Sequence, residues 1–531
     1  MTSLWKSSFD PPRGTPFAAG ARHDVVVVGA GITGLSTALM LARGGMDVAL
    51  VEAGDLAQLA TGSNTGKLSL LQGSVLSTMR RRHPASLVRA YVEANRAGAE
   101  WLTSFLDSSG VSYTRSAAYS YAQGDGGMGT VDAEVAAGRE AGLPVRFVSG
   151  VEMPPSPFPV VAAAALDDQV AVDPAAAAAA LASEFLAAGG TLHTKTRVMG
   201  VHATPHARVD TTAGPLFGTQ IVLATGTPIA DRGLYFAKVR ALRSYCVSFR
   251  TGVDVPDGLY ISVDGPTRSI RRVTPADGPA GAQLVIGGAG HPVGRAMSER
   301  GLVEELVGWA KKQFPDAEET HRWSAQDYES HNLVPFVGAL PRGLGRIRFA
   351  TGYAKWGLSN GPAAALRLAA EIRGDAMPER PRWMLMLGTR VTVPADLARG
   401  AIENARVARE AAGGWLGAES TPVPVPRPPE GEGTVASNGG RPVAISTTGG
   451  ETRAVSAVCT HLGGVLSWND AECTWDCPLH GSRFAPDGVR LEGPADRDLR
   501  RLPRSPGGAG GAGAADAPDG ESRSGAPLRK E

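Results

Sequence analysis

Four residues near the C-terminus have the types and spacing to hold metal. They are Cys459, His461, Cys477 and His480, in the run CTHLGGVLSWNDAECTWDCPLHGSRF (residues 459–484). Reduced to donors, the pattern is C-x-H, a spacer of residues 462–476, then C-x-x-H. Two thiolates and two imidazoles suit a tetrahedral structural zinc. They also suit a [2Fe–2S] cluster with the thiolates on one iron and the imidazoles on the other. Neutral imidazoles in place of thiolates reduce the negative charge, so electron addition becomes easier. The other cysteines are Cys246 and Cys473. Three of the four lie close together near the C-terminus, which is no disulfide framework and points to a metal site in a reducing compartment.

A second set of residues is suited to a dinucleotide. The segment DVVVVGAGITGLSTALMLARGGMDVALVE (residues 24–52) reads as strand, glycine turn, helix and strand. Gly29, Gly31 and Gly34 fit G-x-G-x-x-G: a tight turn, close backbone approach to a pyrophosphate, and close helix packing. Ile32 and Thr33 open the helix whose N-terminus faces the phosphates. Glu52, followed by Ala53, ends the second strand and can accept hydrogen bonds from ribose hydroxyls. This motif alone leaves FAD and NAD open.

Three further segments favour FAD: the loop TGSNTGK (61–67), the strand end QIVLATG (220–226), and the strand, glycine turn and helix IRFATGYAKWGLSNG (347–361). With them, residues 22–400 resemble the D-amino-acid-oxidase-like FAD-dependent oxidoreductases, which include glycine and sarcosine oxidases. The resemblance implies an α/β fold: a Rossmann-like FAD-binding domain with an inserted antiparallel-sheet substrate domain. It places Thr61, Ser63, Asn64, Thr65, Gly66 and Lys67 on the flavin side, Val198 at the adenine, and Ala224, Thr225 and Gly226 in the cofactor site. Gly352, Trp356, Gly357, Leu358, Ser359 and Asn360 would close over the flavin. No His or Cys occupies residues 61–67, so non-covalent FAD is expected.

Around the metal motif, Leu462-Gly463-Gly464, Gly481-Ser482-Arg483-Phe484 and Gly493-Pro494-Ala495 resemble the three cluster loops of Rieske domains, over about residues 420–504. That favours a [2Fe–2S] cluster over zinc. Many Rieske domains brace the cluster loops with a disulfide; Gly464 and Leu479 stand at those positions here. Looser loops and a potential below the high-potential respiratory type are expected. Cys473 reads as a non-ligand thiol and Cys246 as core. The two-domain combination resembles bacterial FAD-dependent oxidoreductases with a C-terminal Rieske domain.

The elements that must position these groups follow from pattern. Residues 1–22 read as an irregular arm. Residues 23–410 read as the oxidoreductase, with FAD-binding parts at about 23–90, 165–232 and 330–400 and substrate parts at 91–164 and 233–329. Helices are expected at 85–107, 174–187, 301–314 and 361–373, and strands at 192–201, 207–211 and 220–224. The Pro- and Gly-rich run 411–433 reads as a linker, 434–504 as an all-β Rieske domain, and 505–531 as a disordered tail.

For substrate, Arg243, Tyr245 and Arg271 could project from the 236–290 sheet, an arginine fork suiting a carboxylate. His291, His331, Lys67 and Lys355 could approach the flavin. The expected activity is hydride transfer from an amine, an amino acid or a related natural-product intermediate, oxidising a C–N bond, with electrons leaving through the cluster to an external one-electron acceptor. Alternatives are an oxidase using O₂ with a structural cluster, and an electron-transfer protein serving a separate oxygenase. A mononuclear oxygenase iron finds no ligands: no His follows His480, and His202 and His206 lack a well-spaced carboxylate. Lys plus Arg number 53 and Asp plus Glu 52, which gives no electrostatic reason for a nucleic-acid or membrane partner. No signal peptide or membrane span is read, so a cytoplasmic location is expected.

Overall fold

The computed structural model describes residues 1–503 apart from residues 8, 231–232, 275–281, 376–379, 389–393, 422 and 424. The expected tail 505–531 lies outside the described residues. Four consecutive valines, Val25 to Val28, make a strand buried on both faces, as a parallel sheet under helices requires. Around Arg22–Val28 the sheet runs Phe336–Ala339, Ile347–Thr351, Gly214–Leu223, Arg22–Val28, Val48–Val51 and Thr191–His193. All these pairs are parallel except the first. The helices Ile32–Arg43 and Pro174–Ala187 cover it, the latter capped by Asp173 with Pro174 at its start.

The second sheet has nine strands in the order Glu318–Ser330, Val239–Arg250, Gln283–Pro292, Arg268–Val273, Leu259–Ser262, Tyr113–Ala122, Ala162–Val172 and Lys67–Leu68, with Arg146–Ser149 beside Ala162–Val172. It is antiparallel except where Leu259–Ser262 runs parallel to Tyr113–Ala122, so the inserted sheet is mixed. Two small antiparallel sheets, spanning Gly433–Ser456 and Ser467–Glu492, form the C-terminal β-domain.

Several expected boundaries shift. The strand expected over 192–201 is two strands, Thr191–His193 and Val198–His202. The linker expected from 411 begins inside a helix, Pro394–Glu419. Its Ala418 is buried in the C-terminal domain's core, and its Trp415 indole N–H donates to the Gly463 carbonyl. Alanines and small residues dominate 411–419, and packing on that domain fixes them as helix despite their weak periodicity. The arm is not wholly irregular either. Leu4–Lys6 forms a 3₁₀ turn, and Trp5 is buried against Trp323 and the Arg271 guanidinium, with its indole N–H on the Asn64 carbonyl.

Candidate active site and iron–sulfur centre

A cavity of about 1160 Å³ lies between the two large sheets. Gly29 sits at φ +102°, where a side chain is strained, and a Cβ there would come 2.5 Å from the Ala224 carbonyl oxygen. A Cβ on Gly34 would lie 1.8 Å from the Gly29 oxygen, so only glycine lets the helix Ile32–Arg43 start this close to its strand. That helix has no side-chain cap at Gly31. The helix Gly357–Arg373 likewise starts uncapped at Trp356. The Ile32 N–H donates to Thr61 Oγ1 at 3.0 Å; apart from it, both N-termini border the cavity as anion-binding ends. Glu52 is held by the Ala30 and Gly54 N–H groups, at 2.8 and 2.9 Å, with its carboxylate at the cavity wall. This combination of space, uncapped helix ends and acidic residue fits FAD.

Of the residues expected to hold the cofactor, all line this cavity except Gly34, Gly66, Ser359 and Asn360. Gly34 serves helix packing. Ser359 and Asn360 turn into a buried network: Ser359 Oγ donates to Asn95 Oδ1 at 2.5 Å, and Asn360 Nδ2 to the Tyr91 hydroxyl at 3.3 Å. The network braces the uncapped helix start from below. Sequence reading missed Tyr91 and Asn95, whose helical spacing looks like plain core.

The substrate candidates separate. Along Val239–Arg250 side chains alternate between faces. Arg243 and Tyr245 share one face with Gln326 and Ser324, while Ser244 and Cys246 share the other with Ala325 and Trp323. Trp323 donates its indole N–H to the Ser63 carbonyl, so the second face is the one toward the expected FAD. Arg243 and Tyr245 also border the cavity, but they lie on the opposite face and are engaged by Glu472 and Asn469 of the C-terminal domain. Arg271 is also committed: it is buried, donates to the Gly66 carbonyl at 2.8 Å, and burial lowers it to about 10. Lys67 is buried and donates to the Tyr260 carbonyl and Ser269 Oγ, at 2.6 and 2.7 Å. His291 stacks on Tyr245 and binds the Ala289 carbonyl, and His331 binds the Ala237 carbonyl. Lys355 alone of these basic residues is exposed into the cavity.

The four metal-ligand candidates come together as two pairs. Cys459 and Cys477 are buried on facing loops of matching form. Gly463 N–H donates to the Cys459 carbonyl, and Gly481 N–H to the Cys477 carbonyl. The imidazoles of His461 and His480 have centroids 5.1 Å apart. Nδ1 of His480 is buried with no hydrogen-bond partner, and burial pulls this imidazole down to about 3, keeping it a neutral donor. A sulfur pair beside an imidazole pair, with an orphaned ring nitrogen, fits a His-ligated [2Fe–2S] cluster. At the position of the missing disulfide, a Cβ on Gly464 would meet Leu479 Cδ1 at 2.5 Å. Leu479 thus packs into the space left by Gly464 and joins the loops by apolar contact.

The cluster loops dock on the oxidoreductase. Both imidazoles lie edge-on to Phe236, with centroids 4.8 Å away. Gln326 Nε2 donates to the Gly481 carbonyl at 2.8 Å, and Arg295 Nε to the Pro478 carbonyl at 2.9 Å. Arg243, fully buried, pairs with Glu472 at 2.6 Å, and Arg483 pairs with Glu472 and Asp476 at 3.0 and 3.2 Å. Burial would raise the Glu472 carboxyl, but Arg483 and Arg243 hold it down to about 2. Asn469 Nδ2 donates to the Tyr245 hydroxyl at 3.2 Å. Glu472, Arg483 and Glu492 also line the FAD cavity. The pairings between the two domains are not visible in sequence, because their partners are more than 150 residues apart.

Fold and site together define a flavin-dependent oxidoreductase carrying its own iron–sulfur domain. The chain belongs to the FAD dependent oxidoreductase family, whose model matches residues 24–371; the Rieske [2Fe–2S] domain model matches 424–503. It therefore binds FAD and a [2Fe–2S] cluster. YhfW of Bacillus subtilis, named as a Rieske 2Fe–2S iron–sulfur protein, is 27% identical over 505 residues, covering 94% of this chain and 97% of the relative. Glycine oxidase from Geobacillus kaustophilus shares the fold (TM-score 0.57, 22% identity, 67% of this chain, 96% of that one). So does L-amino acid deaminase from Proteus myxofaciens, solved with anthranilate (0.56, 16%, 70% and 94%). L-proline dehydrogenase from P. horikoshii does too (0.54, 18%, 67% and 95%). Among the described residues no helix is long and apolar enough to cross a membrane.

Proposed function

We propose that this enzyme oxidises a C–N bond of an amine or amino acid and sends the electrons out, one at a time, through its own cluster. The reading rests on one observation: the cluster domain's Glu472, Arg483 and Glu492 help to line the cavity that fits FAD. Gln326, Arg243 and Tyr245 on one face of a single sheet hold the cluster loops, and the opposite face looks to the flavin.

When bound, FAD supplies a two-electron acceptor and the cluster a one-electron carrier. The cavity residues from Gly29 to Glu52, with Val198 and the turn at Gly352, would hold FAD. Cys459 and Cys477 would hold one iron, and His461 and His480 the other. Backbone N–H groups at Gly357 and Leu358 would favour negative charge at the flavin end of the cavity. The substrate loses a hydride and a proton, and an external one-electron acceptor is used twice per turnover. The proteins that share the fold are named as a glycine oxidase, an L-amino acid deaminase and an L-proline dehydrogenase, in keeping with C–N oxidation. The pathway is expected to lie in the cytoplasm.

Anaerobic flavin bleaching across amines, amino acids and hydroxy acids tests the substrate class. Amino acids or amines should bleach the flavin at least tenfold faster than the matching hydroxy acids. Faster bleaching by hydroxy acids would contradict C–N oxidation.

A further inference from the structure

The C-terminal domain meets the oxidoreductase at a second place, beside the part of the cavity wall that Glu52 and Val198 form. Thr196 N–H donates to the Glu52 carbonyl at 2.8 Å, which sets Arg197 next to the acidic residue. From the other domain, the strand Arg490–Glu492 and Gly493 reach the same cavity. Arg197 Nη2 donates to the Arg490 carbonyl at 3.1 Å, and Arg490 Nη2 meets Met199 Sδ at 3.4 Å. Arg490 Nη1 donates to the Ala495 carbonyl in the third cluster loop. Arg197 and Arg490 both line the cavity.

Arg490 is 6% exposed, and its Nε is buried with no hydrogen-bond partner. Neither guanidinium is ion-paired to a carboxylate among the described residues; Glu52, Asp496 and Asp498 act on them only from a distance. Burial holds both below the ordinary arginine range, and Arg197 pushes Arg490 down further. Two cations brought together from separate domains, with no carboxylate between them, are costly unless a ligand completes them. A guanidinium plane stacks on an aromatic face and attracts phosphate charge. A nucleoside diphosphate offers both, and Glu52 beside Arg197 is the residue suited to ribose hydroxyls.

We infer that Arg490 of the C-terminal domain and Arg197 of the oxidoreductase together hold the adenosine half of FAD, so that the cluster domain is itself part of the FAD site. Docking of that domain then sets how tightly FAD is kept. Through the Ala495 carbonyl, Arg490 also joins the adenosine end of FAD to the third cluster loop. A flavoenzyme without the second domain has no counterpart of Arg490. The assignment is independent of the substrate and of the electron acceptor.

The test is titration of the full-length protein, stripped of FAD with its cluster in place, by FAD, ADP and FMN, read by protein fluorescence and calorimetry. ADP carries the adenosine half alone and FMN the flavin half alone. Arg490→Met and Arg197→Met should each weaken FAD and ADP at least tenfold and leave FMN within twofold. The cluster's EPR signal should be unchanged in Arg197→Met, which lies outside the C-terminal domain and carries the test by itself if Arg490→Met fails to assemble its cluster. ADP affinity within twofold of the parent in either cluster-bearing variant overturns the assignment. Equal losses for FAD and FMN overturn it too, because the arginines would then shape the cavity as a whole without touching the adenosine half.

Discussion

Cys477→Ser protein should retain FAD, lose its iron–sulfur EPR signal, and reduce one-electron acceptors at least a hundredfold more slowly than the parent. Cys477 is 2% exposed and lies on the loop facing Cys459. A serine there offers a poor ligand in a site shaped for thiolate, and the cluster cannot assemble with one iron short of a sulfur donor. The FAD site rests on the turn at Gly29, the strand end at Glu52 and the helix start at Gly357, all in the oxidoreductase domain and far from Cys477 in sequence. Anaerobic bleaching of the flavin by substrate should stay within a few-fold of the parent. Loss of both cofactors together would show that the cluster's own presence, and not the docked domain alone, shapes the FAD cavity.

Arg243→Met should cost about 3–5 kcal/mol of stability and uncouple the two centres. Arg243 is fully buried, with Glu472 at 2.6 Å and Gln326 at 3.0 Å. Methionine fills much of its volume but leaves Arg483 as the remaining ion-pair partner of the buried Glu472 among the described residues. The weakest response available to the fold is separation of the cluster domain from the sheet, which rehydrates Glu472. Both cofactors should then remain by absorbance and EPR, while electron passage from flavin to cluster slows at least tenfold. Arg243→Lys should recover part of the loss. Unchanged transfer in Arg243→Met would show that this pair does not hold the domains together.

The glycine fingerprint and the C-x-H, C-x-x-H spacing were legible because each is local: a few neighbouring residues carry the whole chemical requirement. The cofactor loops at Ser63 and Gly352 were legible by resemblance. What sequence could not reveal depends on pairing across long separations. Alternation along Val239–Arg250 shows that Arg243 and Ser244 face opposite ways, but not which face meets the flavin. That is decided by Trp323 reaching the Ser63 carbonyl and by Glu472 reaching Arg243. Trp5 pinning the Asn64 loop, and Leu479 occupying the place of a disulfide, are likewise products of packing. The helix through 411–419 was hidden by its glycines, which cost helix propensity in isolation but are offset by burial of Ala418.

The most direct test puts a single electron pair into the flavin and watches where it goes. Anaerobic protein, photoreduced at the flavin and frozen at successive times, should show a His-ligated [2Fe–2S] EPR signal growing as the reduced-flavin absorbance fades, at a rate independent of protein concentration. A cluster signal that appears only in proportion to concentration, or never, would contradict electron transfer within one chain.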